Sequence, residues 1–313
     1  MSENPKIAVL LATYNGSKYL AEQLDSILNQ SYQNFLIVVR DDGSTDNTVA
    51  LLEGYAHRYD EKFQLLEADD INRGASGSFS CLIEYVLANQ QALGLDEAYM
   101  MFSDQDDVWF EDKIEKQLAV MLEAERTSPE TGAVPVLVHC DLQVVSEQNV
   151  SISESFVRYQ GLEITRNRFP NLLVSNLVTG CTAFINESLA RQSVPVAKQA
   201  VMHDWWLALV ATAFGRLIYL EMPLVYYRQH ENNTIGAREY VKSVPLRRTF
   251  WQKVFDPNPN QHLIDIARQA REFRQQFGKQ LTIRNNLCLR LTACMSFRVA
   301  LLQKILFRIA RRL

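Results

Sequence analysis

Short apolar segments alternate with segments of helical periodicity over the first 125 residues, and this alternation restricts the possible folds more than any other feature. The apolar segments are typical of strands buried on both faces: Lys6–Ala12, Phe35–Val39, Phe63–Glu67 and Tyr99–Ser103. The helical segments are Tyr19–Leu28, Thr48–Tyr59, Ser76–Asn89 and Lys113–Glu125. This order predicts an α/β fold with a Rossmann-like, mostly parallel sheet and helices on both faces.

The pattern changes after residue 130. Short extended segments are predicted at Val134–His139, Leu142–Val145, Leu172–Val178, Leu217–Leu220 and Leu224–Tyr227. Trp205–Phe214 is predicted to be a helix. The Asp256–Asn260 segment holds two prolines and is the best candidate boundary before a helical, basic C-terminal region.

Polar and acidic residues follow three of the predicted strands. Thr13-Tyr14-Asn15 follows the first, Asp41-Asp42 the second, and Asp104-Gln105-Asp106-Asp107 the fourth. In open α/β sheets, ligands bind beyond the carboxyl ends of the strands. Neither a GxGxxG nor a GxxxxGK[ST] motif is present, so a dinucleotide or P-loop phosphate cradle is not expected.

The carboxylates at the end of the fourth strand suit a divalent cation. Asp104 and Asp106 are two positions apart, so in extended geometry their side chains point to the same side. Hard oxygen ligands favour Mg²⁺ or Mn²⁺, which would hold the phosphates of a substrate. The alternative is that Asp106 or Asp107 caps the next helix, and that Asp41–Asp46 is only a turn and a helix cap.

Together these motifs resemble the inverting nucleotide-sugar glycosyltransferases of family 2, which have the GT-A fold. The residues that carry the resemblance are ATYNG (12–16), SILNQSY (26–32), DDGSTD (41–46), NRG (72–74), SDQDDVW (103–109), TGC (179–181), HDWW (203–206) and YRQH (227–230). Within the family, SDQDDVW followed by HDWW most resembles the bacterial rhamnosyltransferase-like branch. The QxxRW motif of the processive synthases is absent, which argues against a polymerase.

The resemblance implies a role for particular residues. The implied nucleotide-sugar-binding residues are Thr13, Tyr14, Asn15, Asp42, Arg73, Asp104 and Arg228. The implied metal ligands are Asp104, Asp106 and His230, and the implied general base is Asp204. The catalytic domain would span residues 1–240, with a nucleotide-binding half to about residue 110 and an acceptor half from about 111, followed by a C-terminal region at 241–313.

Asp204 has a sequence context that fits a general base. Inverting transfer needs a base that takes the proton of the acceptor hydroxyl, and Trp205 and Trp206 would desolvate Asp204 and raise its pKa. We expect Trp205, Trp206 and Thr179 to lie on the acceptor side, where an indole ring could pack on a sugar. The alternative is that Asp204 only caps the helix that follows it.

The expected reaction is transfer of a sugar to a saccharide acceptor, in the synthesis of a surface polysaccharide such as O-antigen. The rhamnosyltransferase resemblance implies a dTDP-L-rhamnose donor, with galactose or glucose as alternatives. A non-catalytic nucleotide-sugar-binding protein would have no need of Asp204. A sugar-1-phosphate nucleotidyltransferase would carry a glycine-rich, arginine-containing loop where this chain has ATYNG.

Charge is distributed unevenly along the chain. Residues 1–240 carry 17 Lys+Arg and 33 Asp+Glu, whereas residues 241–313 carry 15 and 3. Residues 281–313 contain no acid and seven cations, which fall on one half of a helical wheel: Arg284, Arg290, Arg298, Lys304, Arg308, Arg311 and Arg312. The opposite half carries Leu281, Leu289, Met295, Val299, Leu302, Leu306, Phe307 and Leu313.

This pattern predicts one amphipathic helix that lies on an anionic membrane, where each cation contributes roughly 1 kcal/mol. The alternative is that the apolar stripe packs against the acidic catalytic domain or a partner subunit. We expect a cytoplasmic protein, peripheral on the cytoplasmic face of the inner membrane, with a lipid-linked acceptor and no nucleic-acid partner. The five cysteines lack the spacing of a zinc site or a disulfide framework.

Overall fold

The computed structural model describes residues 4–69, 71–127, 133–230, 260–296 and 300–311. The strands are β1 (Ile7–Thr13), β2 (Phe35–Asp41), β3 (Phe63–Leu65), β4 (Tyr99–Ser103), β5 (Val108–Trp109), β6 (Val136–Ser146), β7 (Ser151–Ser153), β8 (Phe184–Ile185) and β9 (Arg216–Gln229). The helices before residue 230 are α1 (Leu20–Leu28), α2 (Thr48–Arg58), α3 (Gly74–Ala88), α4 (Lys113–Arg126), α5 (Phe156–Gln160), α6 (Phe169–Leu172), α7 (Glu187–Ser193) and α8 (His203–Phe214). The C-terminal helices are α9 (Gln261–Phe277), α10 (Ile283–Ala293) and α11 (Ala300–Ala310).

One sheet of order β3-β2-β1-β4-β8-β6-β9-β5 forms the centre of the molecule, and β7 pairs with β6. The pairs β3–β2, β2–β1 and β1–β4 are parallel, as predicted for the first 125 residues, and β6–β9 is parallel as well. The short strand β8 runs antiparallel between β4 and β6. The polar residues after β1, β2 and β4 therefore meet at one edge of the sheet.

Several predicted segments differ from the structure after residue 130. The segments Val134–His139 and Leu142–Val145 form the single strand β6, and Leu217–Leu220 and Leu224–Tyr227 form the single strand β9. Register shifts at Cys140–Gln143 accommodate the polar residues between the apolar runs. The extended segment predicted at Leu172–Val178 is wrong, because helix α6 ends at Leu172 and irregular chain follows.

Alternate residues of the central strands enter two hydrophobic cores, one on each side of the sheet. Along β1, Ile7, Val9 and Leu11 join the core that contains residues of α1, α2 and α4. Ala8 and Leu10 join the other core, which contains residues of α3, α7 and α8. This burial on both faces is the reason that the β1 sequence is a continuous apolar run.

The C-terminal helices extend the second core. Leu263, Ile266 and Phe273 of α9 are buried there, and the ring centroid of Phe273 lies 5.2 Å from that of Trp206 on α8. Residues 241–259 lie outside the described residues. The C-terminal region from residue 260 therefore packs against the rest of the chain through an extensive apolar contact.

The structure contradicts the prediction of one continuous amphipathic helix after residue 281. Helices α10 and α11 are separate, with a 3₁₀ turn at Cys294–Ser296 between them, and residues 297–299 lie outside the described residues. Leu289 and Met295 of the predicted membrane-facing stripe are fully buried, and Leu306 and Phe307 are partly buried against the same core. Among the described residues, no helix has both the length and the apolarity needed to cross a bilayer.

Candidate active site

A side chain in the DQDD segment links the loop after β1 to the loop after β4. The backbone N–H of Tyr14 donates to Gln105 Oε1 at 2.8 Å, and Gln105 Nε2 donates to the Tyr14 carbonyl at 3.0 Å. Gly16 leaves room for this side chain, because a Cβ at Gly16 would lie 2.2 Å from Gln105 Oε1. The loops that carry the predicted nucleotide-binding and metal-binding residues are thus held together.

Asp42 lies at the end of β2 and is 4% exposed. Its carboxylate accepts from the backbone N–H of Arg73 at 2.8 Å and of Gly74 at 2.7 Å, where α3 begins. The guanidinium of Arg40 also pairs with Asp42 and reaches Asp69. Asp42 therefore holds the NRG segment against the end of β2.

The remaining residues of the predicted nucleotide site surround this point. Thr13 is buried and its Oγ1 donates to Asp41 Oδ1 at 2.7 Å, whereas the Tyr14 side chain is half exposed. Asn15 has a positive φ of 49°, and its Oδ1 accepts from the Thr45 N–H at 2.7 Å. The exposed guanidinium of Arg73 pairs with Asp69 at 2.6 Å. The turn-and-cap alternative also holds for part of the segment, because Asp46 accepts from the N–H of Thr48 at 3.0 Å, where α2 begins.

Two of the predicted metal ligands, Asp106 and His230, are in contact beyond the end of β4. His230 Nε2 lies 2.9 Å from Asp106 Oδ2, and both side chains are largely shielded from solvent. Burial raises the pKa of Asp104, and the negative charges of Asp106 and Asp204 raise it further. The fold thus brings residues of three distant segments, 104–106, 204 and 230, to one acidic site.

Asp107 is a buried neighbour of this site that the sequence analysis did not assign. It is 0% exposed, its Oδ2 has no hydrogen-bond partner, and burial raises its pKa well above the ordinary value. One ligand atom each from Asp104, Asp107 and Cys181 lies within 4.8 Å of the others. The two carboxylates of this group, one of them with an unpartnered oxygen, fit a divalent cation at this edge of the sheet. Asp104 is the one member that this group shares with the predicted set of Asp104, Asp106 and His230.

Arg228 is 4% exposed, and its side chain contacts the backbone of the loop after β4. Its Nε donates to the Asp106 carbonyl at 3.0 Å, its Nη1 to the Glu147 carbonyl at 3.1 Å, and its Nη2 to Glu22 Oε2 at 2.5 Å. The Arg228 guanidinium, implied above to bind the nucleotide sugar, is thus engaged with the protein in this structure.

Asp204 lies in the first turn of α8, which begins at His203 rather than at Trp205 as predicted. It is 5% exposed, and burial raises its pKa to about 7 although N–H groups of Trp205, Asn176 and Gly180 donate to it. Asn176 Nδ2 lies 3.1 Å from Asp204 Oδ1. A carboxyl with this pKa can exchange a proton near neutral pH.

Trp205 and Trp206 pack inside the molecule, contrary to the prediction that they lie on the acceptor side. They are 4% and 0% exposed, so neither ring offers an open face to a sugar. The indole N–H of Trp205 donates to the Leu172 carbonyl at 2.6 Å, and that of Trp206 to the Ser193 carbonyl at 3.0 Å. Thr179 is half-buried and directly precedes Gly180, which lies beside Asp204.

Comparison with known proteins identifies the family. The family model described as Glycosyl transferase family 2 matches residues 8–191. The chain belongs to this family. It is therefore a glycosyltransferase, and the residues 8–191 that match include the loops after β1, β2 and β4.

Relatives of this family 2 glycosyltransferase agree with that assignment. The dTDP-rhamnosyl transferase RfbG of Shigella flexneri is 28% identical over 250 residues, which cover 78% of this chain and 81% of that protein. The putative glycosyltransferase EpsE of Bacillus subtilis is 34% identical over 121 residues, which cover 39% of this chain and 40% of that protein.

Two solved structures share the GT-A fold with this glycosyltransferase. One is S. aureus TarS 1-349 in complex with UDP-GlcNAc, with a TM-score of 0.56, 16% identity and coverage of 98% of this chain and 88% of that one. The other is the mannosyltransferase PcManGT of Pyrobaculum calidifontis in complex with GDP-Man and Mn²⁺, with a TM-score of 0.55, 17% identity and coverage of 94% and 74%.

Proposed function

We propose that this glycosyltransferase is an inverting, metal-dependent enzyme that transfers L-rhamnose from dTDP-L-rhamnose to a saccharide acceptor. The observation that carries the proposal is the approach of Asp204 to the acidic site after β4. A Cβ at Gly180 would lie 3.8 Å from Asp204 Oδ2, and the next residue, Cys181, has its sulfur within 4.8 Å of carboxylate oxygens of Asp104 and Asp107. This proximity, together with the rise in the Asp104 pKa caused by the Asp204 charge, supports a base close to the predicted diphosphate site. Inversion requires this arrangement, with a base on the acceptor side of the donor.

In the proposed reaction, Asp204 takes the proton of an acceptor hydroxyl. The acceptor oxygen forms a bond to the anomeric carbon of the donor while the bond from that carbon to the diphosphate oxygen breaks. The nucleoside diphosphate leaves with the electron pair of the broken bond. The hydrogen bonds from Asn176, Trp205 and Gly180 keep the Asp204 carboxylate in one orientation for this step.

Asp104, Asp106 and His230 would hold Mg²⁺ or Mn²⁺. Such an ion supplies positive charge that stabilises a departing diphosphate. The contact between His230 and Asp106 supports this set, because it brings an imidazole nitrogen and a carboxylate oxygen, which lie far apart in sequence, to one point. Arg228 would act here by fixing the Asp106 backbone, since its Nε donates to that carbonyl.

The nucleotide would bind at the ends of β1 and β2. Tyr14 offers a half-exposed ring to the base, and Thr13, Asn15, Asp42 and Arg73 form the surrounding wall. The Asp42 carboxylate already accepts two backbone N–H groups and the Arg40 guanidinium, which together occupy three of its roughly four lone-pair sites. We propose that it shapes the pocket and retains one lone pair for a pyrimidine N3–H or a ribose hydroxyl.

The rhamnosyl assignment rests on the similarity to RfbG, which is described as a dTDP-rhamnosyl transferase. The alternative is another hexose, such as galactose or glucose, transferred by the same residues. We propose a lipid-linked saccharide as acceptor, in O-antigen or a related surface polysaccharide. The enzyme would then work at the cytoplasmic face of the inner membrane, where the basic C-terminal region would contact anionic lipid.

A panel of nucleotide sugars tests the proposal. Purified protein is mixed with dTDP-L-rhamnose, UDP-galactose, UDP-glucose or GDP-mannose, with and without Mn²⁺, and both thermal stabilisation and release of nucleoside diphosphate are measured. A ligand that binds only the folded state raises the unfolding temperature. We expect the largest shift and the fastest release with dTDP-L-rhamnose and Mn²⁺. Stabilisation without any release in the presence of acceptor saccharides would instead indicate a non-catalytic nucleotide-sugar-binding protein.

A further inference from the structure

Helices α10 and α11 leave a set of apolar side chains on the outside of the molecule, and these are not the residues that the sequence pattern predicted. We call the set the outer face, and its members are Ile283, Leu287, Leu302, Ile305 and Ile309. Their exposed fractions are 91%, 57%, 37%, 45% and 44%. Of the apolar stripe predicted from the sequence, only Leu302 belongs to this set.

Helix α11 cannot bury its share of the outer face by a small rotation, because its inner face is already in contact with the protein. Gln303 and Ala310 are buried, and Gln303 bonds both to the Met295 carbonyl at 2.9 Å and to the Asn260 N–H at 3.0 Å. At about 100° per residue, Leu302, Ile305 and Ile309 lie on one outward stripe. The stripe is therefore a fixed feature of the folded chain.

Helix α10 has the same organisation. Cys288, Leu289 and Thr292 face the core, whereas Ile283 and Leu287 lie on the opposite side, one turn apart. The N-cap Thr282 accepts from the Asn285 N–H at 3.2 Å, which fixes the first turn and so the direction of Ile283. Two neighbouring helices thus each present apolar side chains outward.

Cations accompany the apolar side chains on the same two helices, and one acid from elsewhere in the chain, Glu163, pairs with Arg311 after the end of α11. Arg284 and Arg290 on α10 and Lys304 and Arg308 on α11 are exposed. Residues 281–313 contain no aspartate or glutamate. Exposed apolar side chains flanked by cations match the two parts of an anionic bilayer surface, its acyl chains and its negative headgroups.

We infer that the outer face is a membrane-docking surface and that its occupant is an anionic lipid bilayer. Nucleic acid would be attracted by the cations but gives the aliphatic side chains no apolar environment. The inference rests on the proposed function only in that a lipid-linked acceptor would bring the enzyme to a membrane. It concerns a surface that contains none of the proposed active-site residues.

Vesicle co-sedimentation with the full chain tests the inference. The probes are vesicles of phosphatidylcholine alone and of phosphatidylcholine with phosphatidylglycerol at 3:1. The first variant is Ile305→Ser with Ile309→Ser, and the second is Lys304→Gln with Arg308→Gln. The matched control is Val150→Ser with Ile152→Ser, because these side chains are 63% and 49% exposed but lie on the β6–β7 hairpin.

We expect the unchanged protein and the control to sediment with the anionic vesicles and only weakly with phosphatidylcholine. The apolar variant should bind anionic vesicles about tenfold more weakly for each isoleucine removed. The charge variant should bind about fivefold more weakly for each cation removed. Release of nucleoside diphosphate measured without vesicles should be unchanged in all of these proteins.

Other outcomes would overturn the docking surface and leave the proposed function in place. One is equal sedimentation of the apolar variant and the control, with donor turnover intact. Another is a dimer of the unchanged protein that the apolar variant converts to a monomer, since the outer face would then be covered by a second copy. Tighter binding to duplex DNA than to anionic vesicles would assign the cations to nucleic acid. Absence of donor turnover in every protein would instead contradict the proposed function.

Discussion

At the scale of single residues, Asp204 combines burial with hydrogen bonds that act in opposite directions on its pKa. Burial disfavours the charged carboxylate, whereas the N–H donors stabilise it, and the balance places the pKa at about 7. The ordinary value is 3.8, so the folded chain binds this proton more tightly than the unfolded chain does. The contribution of Asp204 to the unfolding free energy should therefore fall as the pH rises between about 4 and 7.

The first prediction concerns the basicity of Asp204. Asp204→Asn keeps the shape of the side chain but removes the base, so kcat should fall by roughly 10²–10⁴-fold with little change in donor affinity. In the unchanged enzyme kcat should rise with pH through about 7, as the carboxyl loses its proton, and the variant should lose this rise. Rates over pH 5–9 check both points, with the exposed Asp60→Asn as control. A large loss of donor binding with normal kcat would instead assign Asp204 to the donor site.

The second prediction concerns the metal ligands. Asp106→Ala removes a carboxylate that lies 2.9 Å from His230, so Mn²⁺ binding in the presence of nucleoside diphosphate should weaken by at least tenfold. His230→Ala should have a smaller effect in the same direction. Titration calorimetry with Mn²⁺ measures both, and Asp112→Ala in the following turn is the control. Full activity in excess EDTA would contradict a metal role.

Sequence motifs singled out Asp104, Asp106 and Asp204 as candidates, and the structure places Asp104 close enough to the other two for their charges to raise its pKa. They did not show the role of Trp205 and Trp206, because an apolar ring beside a base is equally compatible with the acceptor pocket and with the core. Burial decides between these roles, and burial depends on α9, which covers Trp206. Asp107 was not assigned a site role because its burial is not visible in the sequence of the Asp104–Asp107 segment.

At the scale of elements, the parallel strands were predictable because burial on both faces produces continuous apolar runs. The strands after residue 130 were less predictable, since β6 continues through His139 and Asp141, two buried polar residues. Asp141 is stabilised there by Ser155, whose Oγ donates to it at 2.5 Å, and by the Val157 N–H at 3.1 Å. A contact with residues fourteen or more positions away is not readable from the local pattern.

The third prediction concerns the link between the loops after β1 and β4. Gln105→Ala removes both hydrogen bonds to the Tyr14 backbone, so nucleotide affinity should fall by about 5–10-fold, as expected for about 1 kcal/mol of lost positioning. Gly16→Ala should have the same effect, because its Cβ would displace the Gln105 amide.

A double variant separates this coupling from two independent effects. If Gly16→Ala acts through Gln105, the combined variant should bind nucleotide no more weakly than Gln105→Ala alone. Fluorescence titration with dTDP measures the three affinities, and the exposed Gln276→Ala is the control. Additive losses would show that Gly16 acts on the nucleotide site by another route.

At the scale of the whole molecule, the charge asymmetry of the sequence suggests two separable parts, an acidic catalytic domain and a basic tail. The structure joins them, since α9, α10 and α11 all contribute residues to the core that contains Trp205 and Trp206. A leucine stripe on a basic helix has the same pattern whether it contacts lipid or the protein's own core. The sequence could therefore predict the helices and their charge, but not which side of each helix faces outward.

The last prediction tests whether the C-terminal region is part of the fold of the catalytic unit. Phe273→Ala empties a fully buried position beside Trp206 and Phe169, so the unfolding free energy should fall by about 3–5 kcal/mol. The matched control is Ile283→Ala, which truncates a side chain that is 91% exposed and should leave the unfolding temperature unchanged. Thermal unfolding followed by circular dichroism should give a single transition, and in Phe273→Ala this entire transition should occur at a lower temperature. Two transitions, of which only one moves, would show that the C-terminal helices unfold independently and that the α8 helix with Asp204 does not depend on them.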